Sequence, residues 1–553
     1  LVCWNGGGKK QGHLFRWSRT RSIKENEIII KEITKMAVIK LALPTLALTV
    51  ACVSATEKGN LKNQGKPAAS KPNIIYILAD DLGYGELGCY GQKKIETPNI
   101  DRLAANGIRF TQHYSGSPVC APSRCALMTG LHSGHMQIRG NDEWGDRGPV
   151  WDYKAMIADS SLEGQRPLLA GTVTLGKLLQ SAGYKTALVG KWGLGAPHSD
   201  GAPNQQGIDF FFGYNCQRQA HTHYPVHLWK NDKKFPLYND TIAPNTRLAP
   251  GADPLNPDSY RNFTLKNYAH VAMFDQITHF VKENRNQPFA LFWTTTIPHA
   301  AIQAPQRWVD YYVKKFGDEK PYLGDKGYFP HRYPHAGYAA MISFLDEQVG
   351  KLIEQLKELG IYENTLIVFT SDNGPTYNGG TDSPWFGSAG PFRSEQGFGK
   401  GNVYEGGMRV PMIAAWPGKI KSGRTSDLIS AFWDVLPTFC EISGAAKPAD
   451  VDGISFLPEL LGEKQIMHDY LYWEFPESGG QQAIRMGRWK AVRLNIQKGE
   501  LKTRLFDIET DILEMNDVAA KYPDLIRQME AIFTKEHVAS NNSRFRMKAL
   551  GDD

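Results

Sequence analysis

The stretch "NIIYILADDLGYG", Asn73 to Gly85, decides the fold of this chain. Its apolar residues run without a break from Ile74 to Ala79, as they do in a strand that is buried on both faces of a parallel sheet. Two carboxylates, Asp80 and Asp81, stand where that strand ends. The stretch therefore predicts a buried parallel strand that delivers acidic side chains to one edge of a sheet.

Three other apolar runs end in polar side chains. "KTALVGKWGLG" delivers Lys191, "FALFWTTTIPHA" delivers His299, and "NTLIVFTSDNG" delivers Asp372 and Asn373. Ligands in such sheets bind beyond the carboxyl ends of the strands. We therefore expect these side chains to lie close to Asp80 and Asp81, although Asp372 and Asn373 are nearly three hundred positions away in the sequence.

Helical patterns separate the strands. "TPNIDRLAANG" has an N-cap threonine, a proline in the first turn and a glycine stop, and "VTLGKLLQSAG" ends in the same way. "YAAMISFLDEQVGKLIEQLKELG" has an apolar stripe at helical spacing, formed by Met341, Leu345, Val349, Leu352, Leu356 and Leu359. Strand alternating with helix predicts an α/β fold with a large, mostly parallel sheet flanked by helices.

The pattern changes after "DVDGISFLPELLG". From about Ile466, short strand-like runs such as "YLYWEF" and "AIRMGRWKAVRL" lead to a helix, "YPDLIRQMEAIFTKEH". A chain of 553 residues is too long for one simple core. We therefore expect a main domain over residues 72–465 and a smaller C-terminal α+β subdomain over residues 466–545.

The formal charge of +6 does not indicate a nucleic-acid partner. Residues 1–35 hold eight Lys/Arg against three Asp/Glu, and Lys40 adds one more positive charge, so the chain from Thr56 onward carries no net charge. A neutral chain lacks the charge that draws a protein to phosphate backbones, so we expect no nucleic-acid partner.

The beginning of the chain predicts export. Met36 opens "MAVIKLALPTLALTVACVSA", residues 36–55, in which a lysine, a short apolar run and small residues follow one another as in a bacterial secretory signal. Residues 1–35 are expected to be upstream sequence outside the fold. "LTVAC" also resembles a lipobox with Cys52 as the lipidated residue, although Thr49 stands where Leu is usual. The mature protein is thus expected to be periplasmic, secreted or held on a membrane by a lipid anchor.

Five cysteines remain in the mature chain, and their scatter does not form a disulfide framework. They are Cys89, Cys120, Cys125, Cys216 and Cys440. No Cys-x-x-Cys pair exists, which disfavours a structural zinc site. Their odd number leaves at least one cysteine unpaired or chemically altered.

Asp80, Asp81, Asp372 and Asn373 form an oxygen-rich set that suits Ca²⁺ or Mg²⁺ better than zinc. Either pair alone is more simply read as a turn or a helix cap. Two such pairs at the ends of two strands favour the metal site.

"PVCAPSRCALMTG", Pro118 to Gly130, places a cysteine just before a predicted helix, whose exposed N–H groups attract anions. Arg124 adds a planar cation that suits a tetrahedral oxyanion. Lys191 and Lys400 can supply further positive charge, although a lone lysine is more often a solvated surface residue. Cys125 is expected to point into the core.

This cysteine stretch, with its C-x-P-S-R opening and closing T-G, resembles the signature of the type I, formylglycine-dependent sulfatases, which are arylsulfatase-like members of the alkaline-phosphatase-like superfamily. "ADDLGYGELGCYG", "TPNIDRLA", "GKWGLG", "IPHA", "SDNG" and "KGNVYEGGMRVP" match the family in its own order. The likeness covers roughly Pro72 to Pro417 and continues through "DGISFLPELL".

The resemblance implies a role for each matching residue. Cys120 would be oxidised to formylglycine by a maturation enzyme, and its hydrate would be the nucleophile, stabilised by Arg124. Lys191 and Lys400 would bind sulfate, and His299 would lie beside the leaving oxygen. The implied ligands of Ca²⁺, or alternatively Mg²⁺, are Asp80, Asp81, Asp372 and Asn373, with the modified Cys120.

One position departs from the family. The pattern is often G-K-W-H-L-G, in which the histidine helps to activate the hydrate, whereas this chain has Gly193. His221 or His223 would fill that role, with His221 preferred, unless both only line the substrate pocket.

The implied activity is hydrolysis of sulfate monoesters. The alternatives are a phosphate or phosphonate monoester hydrolase, and an exported glycan-binding protein without catalysis. "DFFFGYNCQRQAHTHYPVHLWKN", Asp209 to Asn231, offers aromatic faces and polar groups that suit a sugar, although its aromatics are also consistent with core packing. We therefore expect a sulfated saccharide substrate. The stretch also resembles bacterial sulfatases that act on sulfated galactose-type sugars, which implies galactose or N-acetylgalactosamine sulfates.

Overall fold

A large sheet forms the centre of the protein, whose computed structural model describes residues 71–553. The strands are β1 (Asn73–Ala79), β2 (Ile108–Tyr114), β3 (Lys185–Lys191), β4 (Phe210–Tyr214), β5 (His227–Lys230), β6 (Lys233–Pro236), β7 (Phe289–Thr294), β8 (Thr365–Ser371), β9 (Arg409–Ala415), β10 (Arg424–Ser426) and β11 (Ser430–Ala431). Their order is β10-β2-β9-β8-β1-β7-β3-β4-β5-β6, and β11 pairs with β2. The expected leader (residues 36–55), its Cys52 and the upstream segment lie outside the described residues.

The middle of this sheet is parallel. Strands β8, β1, β7, β3 and β4 run in one direction, whereas β9 is antiparallel to both β2 and β8, and β5 and β6 form an antiparallel edge. Every residue of β1, β7 and β8 is buried, as their uninterrupted apolar runs predict. The prediction of a mostly parallel α/β sheet is confirmed.

Helices lie around the large sheet and in the C-terminal part of the chain. They are α1 (Pro98–Ala105), α2 (Cys120–Thr129), α3 (Tyr153–Ala158), α4 (Leu175–Ser181), α5 (Ala269–Asn284), α6 (Gln306–Phe316), α7 (Pro334–Glu358), α8 (Ser383–Phe386), α9 (Glu405–Met408), α10 (Val435–Ser443), α11 (Leu457–Leu461) and α12 (Pro523–Glu536). The stripe of α7 from Met341 to Leu356 is buried against the sheet. No helix in residues 71–553 combines the length and the apolar character needed to cross a membrane.

A second, antiparallel sheet follows in the C-terminal part. It contains β12 (Leu471–Phe475), β13 (Gln481–Met486), β14 (Trp489–Leu494) and β15 (Arg504–Asp507) in sequence order. Helix α12 packs on it through Met529, Ile532 and Phe533. The change of pattern near Ile466 thus corresponds to a real change from a parallel to an antiparallel sheet.

Candidate active site

The carboxyl ends of the central parallel strands meet at one edge of the large sheet, and the polar residues that follow them lie together there. The backbone N–H of Asp80 donates to the carbonyl of Ile297, and that of Asp372 donates to Ala79, each at 3.0 Å. These bonds place the ends of β1, β7 and β8 side by side. The polar residues that the sequence predicts at the ends of these strands therefore lie at one edge of the sheet.

The carboxylates and the amide form a buried oxygen cluster. The Asn373 amide donates to Asp81 Oδ1 at 2.8 Å, and the N–H of Asp81 donates to Asp372 Oδ1 at 3.1 Å. Asp81 has a φ of 66°, an uncommon value that points its carboxylate inward.

This donor set fits a hard divalent cation. Ligand atoms of Asp80, Asp81, Cys120 and His299 lie within 4.8 Å of one another. The predicted ligands Asp372 and Asn373 lie outside this group and contact it through Asp81. Asn373 Oδ1 is buried and has no partner among the described residues. An unpaired buried oxygen beside several carboxylates is the arrangement that Ca²⁺ or Mg²⁺ satisfies.

Three basic side chains face the carboxylates. Lys191 Nζ lies 2.7 Å from Asp80 Oδ2, and Lys400 Nζ lies 2.7 Å from Asp81 Oδ1. Arg124 donates to Asp372 Oδ2 at 2.9 Å. Lys191 is completely buried, so the alternative of a solvated surface lysine is wrong for this residue.

The charges shift the proton affinities of the buried groups. Burial alone would raise the pKa of Asp80, but Lys191 and the other cations hold it well below its usual range. Burial, with the negative charge of Asp80 nearby, raises the pKa of Asp372 to about 7. Burial and the Asp80 charge also raise the pKa of the Cys120 thiol, which is therefore protonated at neutral pH.

Helix α2 holds Cys120 in the centre of this cluster. The sequence predicts Cys120 just before the helix, whereas the helix begins at Cys120 itself. Its Sγ lies 3.3 Å from Asp80 Oδ1 and 3.5 Å from Lys400 Nζ. The next N–H, that of Ala121, donates to Asn141 Oδ1 at 3.1 Å. Cys125 lies in the hydrophobic core, as predicted. All five cysteines of residues 71–553 are free thiols.

The three predicted site histidines, His221, His223 and His299, lie at different depths in the site. His221 stacks on His299 with ring centroids 5.4 Å apart, and Tyr328 packs edge-on against both rings. His223 lies behind them, where its Nε2 contacts the His299 carbonyl at 3.0 Å and its Nδ1 contacts His270 at 2.8 Å. Of the two candidates for the histidine role, the structure brings His221 into the site and leaves His223 in a supporting network.

The backbone and the neighbours of Gly193 disfavour the histidine of the family pattern. Its φ is 86°, a left-handed value that favours glycine. A Cβ at this position would lie 2.7 Å from Gln217 Nε2 and 2.9 Å from Gln165 Oε1. Two glutamine amides thus occupy the space that a side chain at 193 would need.

The C-terminal sheet also reaches this site, which the sequence reasoning missed. From the start of β13, Gln481 donates to the carbonyl of Gly401 at 2.9 Å and accepts from the N–H of Val403 at 3.1 Å. Lys400 immediately precedes these two residues. Gln481 and Tyr328 both lie far in sequence from every motif, so no local pattern marks them.

Comparison with known proteins assigns the chain to a family. The sequence profile described as "Sulfatase" matches residues 72–445, and a second, described as "N-sulphoglucosamine sulphohydrolase, C-terminal", matches residues 394–538.

Characterised relatives agree with this match. An N-acetylgalactosamine-6-sulfatase of Canis lupus familiaris is 31% identical over 77% of this chain and 72% of its own length. An N-acetylgalactosamine-6-O-sulfatase of Bacteroides thetaiotaomicron is 28% identical over 89% of this chain and 97% of its own length. The crystal structure of Ps i-CgsB, also solved with k-i-k-neocarrahexaose, superposes with a TM-score of 0.65 at 28% identity and covers 85% of this chain and 94% of its own. The chain therefore belongs to the sulfatase family and is a sulfuric ester hydrolase.

Proposed function

We propose that this enzyme removes sulfate from sulfated carbohydrate, at the cluster around Cys120. The observation that carries the proposal is the convergence of three basic side chains and an oxygen-rich cation site on one residue, Cys120, at the N-terminus of a helix. That arrangement suits a transferring anion. Relatives named N-acetylgalactosamine-6-sulfatases support sulfated N-acetylgalactosamine or galactose as the first substrates to test.

Two groups complete the proposed site. A formylglycine formed from Cys120 supplies the hydroxyl nucleophile of its hydrate, and a Ca²⁺ or Mg²⁺ ion held by Asp80, Asp81, Asp372 and Asn373 supplies Lewis-acid stabilisation of charge on oxygen. The unpaired Asn373 oxygen and the family's cysteine signature support this assignment.

The chain's own cations bind the anion. Lys191, Lys400 and Arg124 are fixed by buried ion pairs before substrate arrives, so they stabilise charge on the transferring SO₃ group with little rearrangement. Arg124 also donates to the carbonyl of Lys191 at 2.6 Å, which holds two of the three cations in one frame.

His299 and His221 handle protons in this proposal. His299 Nδ1 faces the Ala300 carbonyl at 2.5 Å, so Nδ1 carries the hydrogen of the neutral ring. Burial and the charge of Lys400 hold the pKa of His299 well below its usual range. Nε2 must therefore take up a proton during the reaction before it passes one to the leaving oxygen. His221, stacked on His299, takes the role of the histidine that Gly193 lacks. His221→Ala should lower turnover of aryl sulfates and saccharides alike; a loss confined to saccharides would give His221 a substrate-binding role instead.

The proposal extends to maturation and location. A formylglycine-generating enzyme must modify Cys120, and the apolar leader supports export to the periplasm or beyond, with Cys52 as the site of a lipid anchor if the lipobox is used.

Ion chromatography of released sulfate tests the substrate class. The matured enzyme should release sulfate from defined galactose and N-acetylgalactosamine sulfates and should turn over an aryl sulfate faster than the matching aryl phosphate. Good turnover of aryl sulfates with no release from a broad panel of sulfated saccharides would contradict the carbohydrate assignment. Faster turnover of the phosphate would contradict the sulfate-ester chemistry.

A further inference from the structure

A second group of metal-ligating side chains shares no residue with the site around Cys120. His132 and His135 follow helix α2, Asp452 precedes α11, and Glu536 is the last residue of α12. Ligand atoms of His132, His135 and Asp452 lie within 4.8 Å of one another, and Glu536 contacts both histidines. We call these four residues the His–carboxylate cluster.

The distances in the His–carboxylate cluster resemble those between the ligands of one metal ion. Zinc bonds to imidazole nitrogen and carboxylate oxygen are about 2.0–2.2 Å long, so tetrahedral geometry separates two ligand atoms by about 3.3–3.6 Å. Glu536 Oε2 lies 3.5 Å from His135 Nε2, within that range, and 3.1 Å from His132 Nε2, just below it. The distance to His135 is longer than an ordinary hydrogen bond.

Further polar groups orient two of these side chains. His135 Nδ1 donates to Asp452 Oδ1 at 2.9 Å, so in the neutral ring Nε2 offers its lone pair toward Glu536. Tyr470 and Lys535 donate to Glu536 Oε1 at 2.6 Å and 2.7 Å, which leaves Oε2 to face the histidines. Metal-binding histidines usually donate their other N–H to a carboxylate or carbonyl in this way.

His132 can also present a ring nitrogen to an ion. Its Nδ1 accepts the N–H of Gly134 at 3.2 Å and its Nε2 lies 3.1 Å from Glu536, so Nε2 carries the hydrogen of the neutral ring. A metal at Nε2 would move this hydrogen to Nδ1, and the contact with Gly134 would be lost. That contact is at the long end of the hydrogen-bond range, so its loss costs little beside the gain of a metal–nitrogen bond.

The chemistry and the exposure of the His–carboxylate cluster suit a zinc ion. Two imidazoles favour zinc over Ca²⁺ or Mg²⁺, which prefer oxygen ligands. Lys535 neutralises only one of the two carboxylates, so the cluster retains a negative charge that attracts a cation. The side chains of His135 and Asp452 are 29% and 20% exposed, so an ion can reach them from solvent.

We propose that His132 Nε2, His135 Nε2 and Glu536 Oε2 bind a Zn²⁺ ion, with water as the fourth ligand and Asp452 orienting His135. The ion joins the segment after α2 to the end of α12, across 404 positions of the chain. Zinc should therefore stabilise the attachment of the C-terminal helix to the main domain and take no part in sulfate transfer.

Isothermal titration calorimetry on the purified protein tests this site. Excess Ca²⁺ is added first to fill the cation site at Cys120, and Zn²⁺ is then titrated in. The hydrogen bond to Asp452 raises the pKa of His135, so the titration is run at pH 8 to limit competition from protons. Wild type should bind one zinc ion, and its Tm should rise by about 2 °C or more. X-ray absorption at the zinc edge should show two imidazole nitrogens.

Two variants remove one ligand each. His135→Gln changes a partly exposed ligand and should weaken zinc affinity by at least about tenfold. Glu536→Gln should act in the same direction and serves as the second variant if His135→Gln does not fold. His335→Gln is the matched control, since His335 is a single ring between Glu319 and Asp382 at hydrogen-bond distances of 2.9 Å and 2.8 Å. It should leave zinc affinity unchanged.

Three results would overturn the inference. They are no zinc binding by wild type in excess Ca²⁺, wild-type zinc affinity in the folded cluster variants, and a zinc-edge spectrum without two imidazole nitrogens. None of these measurements involves sulfate release, so their failure is distinguishable from a failure of the proposed function.

Discussion

Replacing Gln481 with Met should impair catalysis, although Gln481 is not one of the reacting groups. The Gln481 amide links the C-terminal sheet to the backbone of the loop that carries Lys400, through its bonds to Gly401 and Val403. Methionine has a similar length but can neither donate nor accept these bonds. The loop would lose its attachment while Lys400 itself stays intact.

The size of the effect follows from the two backbone groups that are left unpaired. Val403 is fully buried, so water cannot replace the hydrogen bond of its N–H. Leaving this donor unpaired costs about 1–3 kcal/mol. Gly401 is only half-buried, so water partly replaces the bond to its carbonyl. We expect a loss of about 2–4 kcal/mol in the free energy of unfolding. A displacement of Lys400 by about 1 Å would lower kcat by up to about 100-fold.

Gln482→Met provides the control from the adjacent position. Gln482 is equally buried but points to the other face of β13, where it donates to Tyr472 at 2.9 Å and lies 3.3 Å from Glu474. Both variants should lower the melting temperature, measured by calorimetry. Only Gln481→Met should lower kcat on an aryl sulfate, by 10-fold or more. Equal losses of kcat in the two variants, or none in Gln481→Met, would refute the argument that the C-terminal sheet positions Lys400.

Three further predictions concern the cation site, the cysteines and a buried acid. Asp372→Ala should abolish sulfate release and weaken Ca²⁺ binding in a calorimetric titration; full activity in metal-stripped enzyme would count against the site. Cys120→Ala should be folded but inactive and Cys125→Ala should keep substantial activity, while peptide mass spectrometry should find the aldehyde at Cys120 only; a fully active free thiol would contradict this. Burial alone would raise the pKa of Glu405, but Lys490 and a neighbouring arginine hold it at about 2, below its ordinary 4.5, so its stabilisation is complete above pH 4.5 and is lost as the pH falls toward 2. Glu405→Gln should therefore melt below wild type at pH 6, with a smaller difference at pH 3; an equal difference at both pH values would be inconsistent with the lowered pKa.

The central sheet and the positions of most site residues are predictable because one physical rule covers them. An apolar run that ends in Asp80 and another that ends in Asp372 identify two buried strands, and parallel strands bring their carboxyl ends together. The same rule places Lys191 and His299 at that edge. No comparable local pattern in the sequence predicts the order of the strands or which of them are antiparallel.

The other parts of the site depend on distant contacts. His221 and His223 are two residues apart in a segment without a long helix or strand, so no sequence periodicity indicates which ring faces the site. The contacts of both residues with His299 determine which one does. Gln481 looks like an ordinary polar residue in the sequence. Its importance arises from burial beside backbone groups that lie far away along the chain.

The burial of Cys120 determines when its side chain can be altered. It exposes 1% of its surface, and every residue of its helix is buried. Under the proposed maturation, an enzyme that oxidises this thiol must reach a side chain that the folded protein does not expose. The modification would then have to precede the packing of this helix, so it would compete kinetically with folding. A chain that folds first as the thiol would stay unmodified until it unfolds again.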